Sequence, residues 1–332
     1  MSFSRVIGHD FQKEALSAAA RGGRASHAYI FSGPEGVGKK LVALAFAKAL
    51  NCKGGGCAEE GEQCGSCSKI ERGIHPDVFV VEYKGLKDIK VEQIREEVAE
   101  RVQRSPFEGL TKVAVVDEAH RMNRGAQNAF LKTLEEPPRD TVIILLTSQL
   151  NRLLPTIRSR CQVIEFAPLR DEEIIGALAE RGGVSDADAR VTASLAGGSL
   201  GKALRFDQKL QSFRRDVLGA ICELDPDSAG DVLGFVEGLP KTSSKEDTEK
   251  LGFLFDFVSL LIQDVMRIKL GFGEEELANT DMVSYAKTIA ARMDMDAVLE
   301  KRAAVESARR AVLYTNANKQ IALENFVIKM AG

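Results

Sequence analysis

The chain has 332 residues, 44% hydrophobic and 28% charged, a length that suggests two or three domains and a composition that suits globular rather than disordered protein. Its 45 Lys plus Arg against 48 Asp plus Glu leave a net charge of −3, which excludes a global basic field for nucleic acid, so any contact with DNA must be local. With no Trp and four Tyr, there is little material for an aromatic platform that stacks single-stranded bases.

The opening residues, Met1-Ser2-Phe3-Ser4-Arg5-Val6-Ile7-Gly8, lack the apolar core of a signal peptide, so the expected compartment is the cytoplasm. Ala28 to Phe31 then reads as a short buried strand, and Leu41 to Leu50 as a helix with hardly a polar residue. Between them lies Gly33-Pro34-Glu35-Gly36-Val37-Gly38-Lys39-Lys40, close to the phosphate-loop pattern G-x-x-x-x-G-K-[ST]. Glycines let successive N–H groups wrap round phosphate oxygens, and the lysine reaches the outer phosphates. The candidate nucleotide-binding residues here are Gly33, Gly36, Val37, Gly38, Lys39 and Lys40. One position departs from the pattern. The Ser or Thr that normally offers a hydroxyl to Mg²⁺ is Lys40, whose ammonium has no lone pair for a metal. Binding of ATP can survive that change, whereas hydrolysis is in doubt.

Cys52, Cys57, Cys64 and Cys67 follow, spaced C-x₄-C-x₆-C-x₂-C in a stretch rich in Gly and acids with no core of its own. Four thiolates round a tetrahedral Zn²⁺ would fold such an insertion and leave no open position for catalysis, which makes the expected metal structural. The first pair is wider than the common C-x₂-C. Disulfides are disfavoured by the expected compartment. Cys161 and Cys222 stand apart and read as buried small residues.

Val78 to Val81 is another strand, and Lys112 to Val116 is a strand that ends in Asp117-Glu118. A carboxylate at such a strand end beside a phosphate loop can hold magnesium, and the next can orient an attacking water. Asp117 is therefore the candidate metal partner and Glu118 the candidate base, against the plain alternative of two solvated acids. His120 reads as structural. Ala126, Phe130 and Leu134 mark one face of a helix that Pro137-Pro138 stops. Val142 to Thr147 and Val163 to Phe166 complete the strands, and their alternation with helices predicts a parallel α/β sheet. Thr147 or Ser148, at the tip of the Val142 strand, stands where a hydroxyl can touch a γ-phosphate, or else caps the next segment; spacing favours neither.

Pro168 and the acids Asp171, Glu172 and Glu173 mark a boundary, after which a small helical domain is expected through residue 205. Leu251 to Leu270 is the most apolar later stretch, but Asp256, Asp264, Arg267 and Lys269 within it make it a buried bundle helix rather than a membrane span. Further helices are predicted over Arg302 to Tyr314 and Lys319 to Met330.

Three blocks carry a family resemblance: His27-Ala28-Tyr29-Ile30-Phe31-Ser32-Gly33, Asn128 to Pro138, and Leu154-Pro155-Thr156-Ile157-Arg158-Ser159-Arg160-Cys161. Together they resemble the AAA+ ATPases of bacterial clamp loaders over about the first half of the chain. Lys40 and the Leu153-Leu154-Pro155-Thr156 approach to Ser159-Arg160-Cys161 resemble the delta-prime branch more than the gamma/tau motor branch. The resemblance implies a P-loop AAA+ domain over 1–168 with a zinc-binding insertion at 52–67, a helical lid over 169–205, and an all-α collar for oligomerisation over 206–332. It further implies that Arg160 acts in trans as an arginine finger on a neighbour's ATP; composition alone would make it an ordinary surface arginine. Lys202, in the stretch Leu195 to Leu204 that resembles a sensor-2 region, takes the place where the motors tend to present an arginine; phosphate sensing and a solvated helix-end lysine weigh equally there. Zinc-binding inserts at the place of the cysteines also occur in that family.

The function so implied is a subunit of the DNA polymerase III loader that helps place the sliding clamp on primed DNA, with gamma/tau and delta subunits as ring partners and no membrane involved. It would turn over ATP weakly or not at all. The alternative is an active gamma/tau-like motor, supported by Lys39, Asp117 and Glu118. A small-molecule P-loop kinase finds no arginine-rich lid, and a polymerase or nuclease active site finds no second carboxylate cluster, so any polymerase label belongs to the holoenzyme.

Overall fold

A computed structural model describes residues 3–54, 64–83, 88–223, 228–240, 244–315 and 317–331. By contacts it divides into two compact units, Met1–Glu173 with Gly198–Gly201, and Ile174–Gly197 with Lys202–Gly332.

The first unit is built on a parallel sheet of five strands, β1 (Ala28–Ser32), β2 (Val78–Val81), β3 (Lys112–Val116), β4 (Thr141–Thr147) and β5 (Gln162–Glu165), in the order β2-β3-β4-β1-β5. The predicted strands are all present. β5 begins one residue earlier than its apolar run, and Phe166 lies just past its end, where its N–H still donates to the Ser32 carbonyl at 2.7 Å. Continuous apolar runs make the inner strands because helices cover both faces and strand side chains alternate between them. Tyr29, Phe31, Val113, Val115, Ile144 and Leu146 pack on one face with Val42 and Phe46 of the helix Lys39–Asn51. Ala28, Ile30, Ala114, Val116, Ile143 and Leu145 pack on the other with Phe130 and Leu134. β5 is the exposed edge.

The stripe Ala126, Phe130, Leu134 belongs to the helix Arg124–Glu135, and all three are buried. Asn123 starts it by accepting the Ala126 N–H at 2.8 Å. Truncating the fully buried Phe130 to Ala would cost about 3–5 kcal/mol. A second helical run, Val91 to Val102, contains a π-helical turn at Arg95–Ala99, and buries Ile94, Val98 and Val102.

The second unit is helical. Its longest helix, Lys245–Lys269, starts at Ser244, whose hydroxyl accepts the Asp247 N–H, and packs against Gln208–Glu223, Val283–Arg292 and Met295–Tyr314. Phe255, Phe257, Phe326 and Val327 fill its core. The charged residues that argued against a membrane span are put to use: Asp264 is buried and accepts the N–H groups of Ala278 and Asn279 at 2.9 and 2.8 Å. Among the described residues, no helix is long and apolar enough to cross a membrane.

Candidate functional site

Strand, loop and helix meet as the glycine pattern requires. β1 ends at Ser32, in register with Thr147 of β4, and the Gly33 N–H donates to the Thr147 carbonyl at 3.1 Å. Gly36 has φ 75°, and a Cβ there would stand 2.3 Å from the Ser199 hydroxyl, so only glycine fits. Its carbonyl accepts the Gly201 N–H at 2.8 Å, which braces the middle of the loop. Gly38 then precedes the helix Lys39–Asn51, whose first N–H groups have no partner within the helix and so face an incoming anion. Val37 is buried.

A further support escaped the sequence reading. His9 sits in the left-handed region at φ 57°, donates from Nε2 to the Val37 carbonyl at 2.8 Å, and packs edge-on against Phe166. No periodicity marks it.

Lys39 is buried and donates to the carbonyls of Gly33 and Pro34, both at 2.6 Å, the loop that phosphate would occupy. Burial lowers its pKa, against the opposing pull of Asp117 and Glu35. Lys40 turns to the strand ends. Its ammonium lies 2.5 Å from Glu82, at the end of β2, and 3.4 Å from Asp117, at the end of β3. Burial would lower the Lys40 pKa, but Glu82 and Asp117 together outweigh it and hold the group above the usual lysine range. Lys40 in turn holds the Glu82 carboxyl below the usual range. Glu82 was missed by the sequence reading, although its signal is the one that found Asp117: a carboxylate directly after an apolar strand.

This donor set does not fit magnesium in the usual way. The hydroxyl ligand is replaced by an ammonium that cannot coordinate, and that ammonium pairs with the carboxylate the metal would need. Glu118 is also engaged: it sits at φ 47° and accepts from Arg121 Nε at 2.8 Å. Thr147 is buried, and its hydroxyl accepts the Gln149 N–H at 3.0 Å, while Ser148 is exposed. His120 is buried, and burial lowers its pKa.

Arg160 lies elsewhere. It precedes β5 by two residues, at the amino end of the sheet, whereas the phosphate loop leaves the carboxyl end of the neighbouring β1. The four residues of β5 alone separate those ends by about 13 Å at a rise of about 3.3 Å each. Its guanidinium meets Glu135 at 2.8 Å and the Thr156 carbonyl at 3.0 Å. Lys202 belongs to the second unit, where it donates to Asp256 at 2.6 Å; Asp256 also accepts from Arg309 at 2.7 Å.

Cys52, Cys64 and Cys67 come together with their sulfurs within 4.8 Å of one another, an arrangement that can hold a metal ion. Cys57 lies outside the described residues. Cys67 is buried, which with its neighbours Cys64 and Cys52 pushes its thiol up. The two isolated cysteines are only partly covered, short of the full burial their sequence context predicts; burial raises Cys161 to about 12 and Cys222 to about 11.

Comparison with known proteins gives matches along most of the chain. Residues 8–170 match the family model described as DNA polymerase III, delta subunit, and residues 234–331 match its C-terminal counterpart. Subunit delta' of DNA polymerase III from Bacillus subtilis (strain 168) is 34% identical over 311 residues, 92% of this chain and 91% of that protein. Subunit tau of the same organism is 35% identical over 221 residues, but these span 65% of this chain and 39% of tau. Among solved structures, a gamma subunit-related protein from Thermotoga maritima aligns with a TM-score of 0.47 at 22% identity, covering 96% of this chain and 98% of that one.

Proposed function

The chain belongs to the delta-prime family of DNA polymerase III clamp-loader subunits, AAA+ proteins of DNA replication, and from that premise we propose that it completes the ATP site of a neighbouring subunit while its own site turns over little or no ATP. Arg160 is the group it donates. The observation that carries this reading is the position of Arg160 at the amino end of β5, across the sheet from the chain's own phosphate loop. That place, away from a nucleotide beside Lys39, supports a role on a phosphate brought by a second protein. Arginine suits the task because its planar, permanently charged fork pairs two oxygens of a transferring phosphoryl group.

Weak turnover in this chain's own site follows from two pairings. Lys40 stands against Asp117, and Glu118 is drawn to Arg121. We assign ring partners of the gamma/tau and delta type, with the clamp and primed DNA met through the assembly in the cytoplasm. We read 169–205, of which 174–197 and 202–205 fall in the second unit, as the lid, and 206–332 as the collar that holds the ring. Lys202, paired with Asp256 in this state, is kept as a sensor of phosphate only if that pair opens. For the cysteines, we assign a structural Zn²⁺ held by Cys52, Cys64 and Cys67 with Cys57 as fourth ligand; four thiolates satisfy tetrahedral zinc and leave it no reactive position.

The alternative, an active motor, rests on Lys39, Asp117 and Glu118, with Thr147 or Ser148 at the γ-phosphate. One experiment separates the two. DNA-stimulated ATP turnover is measured in a loader reconstituted with its motor subunits, with this chain as found and as Arg160→Ala. A fall of about a hundredfold or more at the adjacent site supports the finger; an unchanged rate removes it.

A further inference from the structure

We propose that the phosphate loop of this chain takes a nucleoside triphosphate without a divalent metal, the Lys40 ammonium standing in for the ion. This deepens the reading above, in which the chain's own site turns over little or no ATP. Two acidic groups, Glu82 from the end of β2 and Asp117 from the end of β3, converge on one cation, as carboxylates do round a metal. The cation is already part of the protein. Lys39 and Lys40 together balance Glu82 and Asp117, so no uncompensated negative charge remains among these four groups to attract Mg²⁺. A divalent ion beside Asp117 would meet an ammonium within a few ångströms, and the water-filled coordination shell magnesium prefers would have to displace it.

A triphosphate is served differently. Lys40 offers three donors and is partly exposed, so it can turn from Glu82 to a phosphate oxygen while staying near Asp117. Lys39 already points at the loop carbonyls of Gly33 and Pro34, partners that the anion replaces. Burial lowers the Lys39 pKa despite Asp117 and Glu35, and a phosphate set against the ammonium would favour its charged form. What such a site lacks is the metal's double charge on the developing transition state. It is therefore suited to hold nucleotide and not to cleave it.

Calorimetric titration of the full chain with ATP, once in excess Mg²⁺ and once in EDTA, tests this. The expected result is a Kd that agrees within about threefold between the two buffers, while Lys40→Thr, which restores the hydroxyl, binds about tenfold or more weakly once EDTA removes the metal. Native binding that weakens by about tenfold or more in EDTA overturns the proposal. So does the absence of ATP binding in both buffers, which would make Lys40 a plug. Should Lys40→Thr fail to fold, the two native titrations still decide. Neither outcome touches Arg160, which is read from the turnover of the motor subunits, and Mg²⁺-dependent ADP release by this chain alone would sink the reading above separately.

Discussion

Arg160 and Glu135 form an ion pair, with 2.8 Å between Nη2 and Oε1, that joins the turn before β5 to the last residue of the helix Arg124–Glu135. Both side chains are partly exposed, 37% and 50%, so the pair is weak, about 0–1 kcal/mol. A latch of that strength would orient the guanidinium and still yield it to a phosphate, as the proposed role in trans requires.

The consequence is an asymmetry between the two partners. Arg160→Ala is expected to cost the neighbouring site about a hundredfold or more in turnover, whereas Glu135→Gln leaves it within about threefold. Steady-state ATP turnover of the reconstituted loader reads both. Equal losses from the two substitutions would mean that the pair acts as structure.

Asp77 is 1% exposed, and its carboxylate accepts the N–H groups of Phe107, Glu108 and Gly109 at 2.7, 2.9 and 2.8 Å, fixing the loop before β3. Burial pushes its pKa up, but those three N–H groups and nearby Lys112 outweigh it and hold the carboxyl below the usual range. A folded pKa below the unfolded one stabilises the protein above the unfolded value of about 3.9 and loses that stabilisation as pH falls through the folded pKa. Asp77→Ala should cost about 3 kcal/mol at neutral pH, since three backbone donors lose their buried, charged acceptor. Urea unfolding at pH 7 and at about pH 3 should show the gap between native and variant narrowing in acid. A gap independent of pH would assign the loss to packing.

Arg214 is fully buried in the helical unit, donating to Asn279 at 2.7 Å and pairing with Asp281. Asn279 also binds Asp264, so one network ties the segment 277–281 to two helices. Arg214→Ala should destabilise this unit by about 3–5 kcal/mol, because it strands buried acceptors. Hydrogen exchange should localise the loss to the second unit; a loss confined to the sheet unit would contradict it.

The purified chain should carry about one zinc, and Cys67→Ser should abolish it. Chelation should raise hydrogen exchange in the helix Gly65–Glu71, which bears Cys67, and leave ATP binding at the loop unchanged. A chain purified without metal, with that helix equally protected, would make the thiols merely neighbours.

The sequence by itself determined the elements and the chemistry they carry. Apolar runs located β1 to β5 within a residue, the inner strands because helices cover both faces and the exposed edge β5 by its Val163-Ile164 core, and the glycine spacing located the loop because its left-handed backbone at Gly36 and Gly38 tolerates little else. Lys40 was legible as a departure for the same reason: a motif fixes residue type position by position. What the tertiary structure decided was partnership. Glu82 became the counter-charge of Lys40, Glu135 that of Arg160, and Asp256 that of Lys202, although 42, 25 and 54 residues separate them. His9 became a brace for Val37, and Asp77 an anchor for the loop before β3. None of these pairings leaves a periodic trace, because a hydrogen bond asks only that two groups meet in space, and strand order, which puts β4 between β3 and β1, is set by how the helices cover the sheet. The parallel pairing of β1 and β5 puts Arg160, just before β5, at the end of the sheet away from its own loop, while its partner Glu135 came only from the fold.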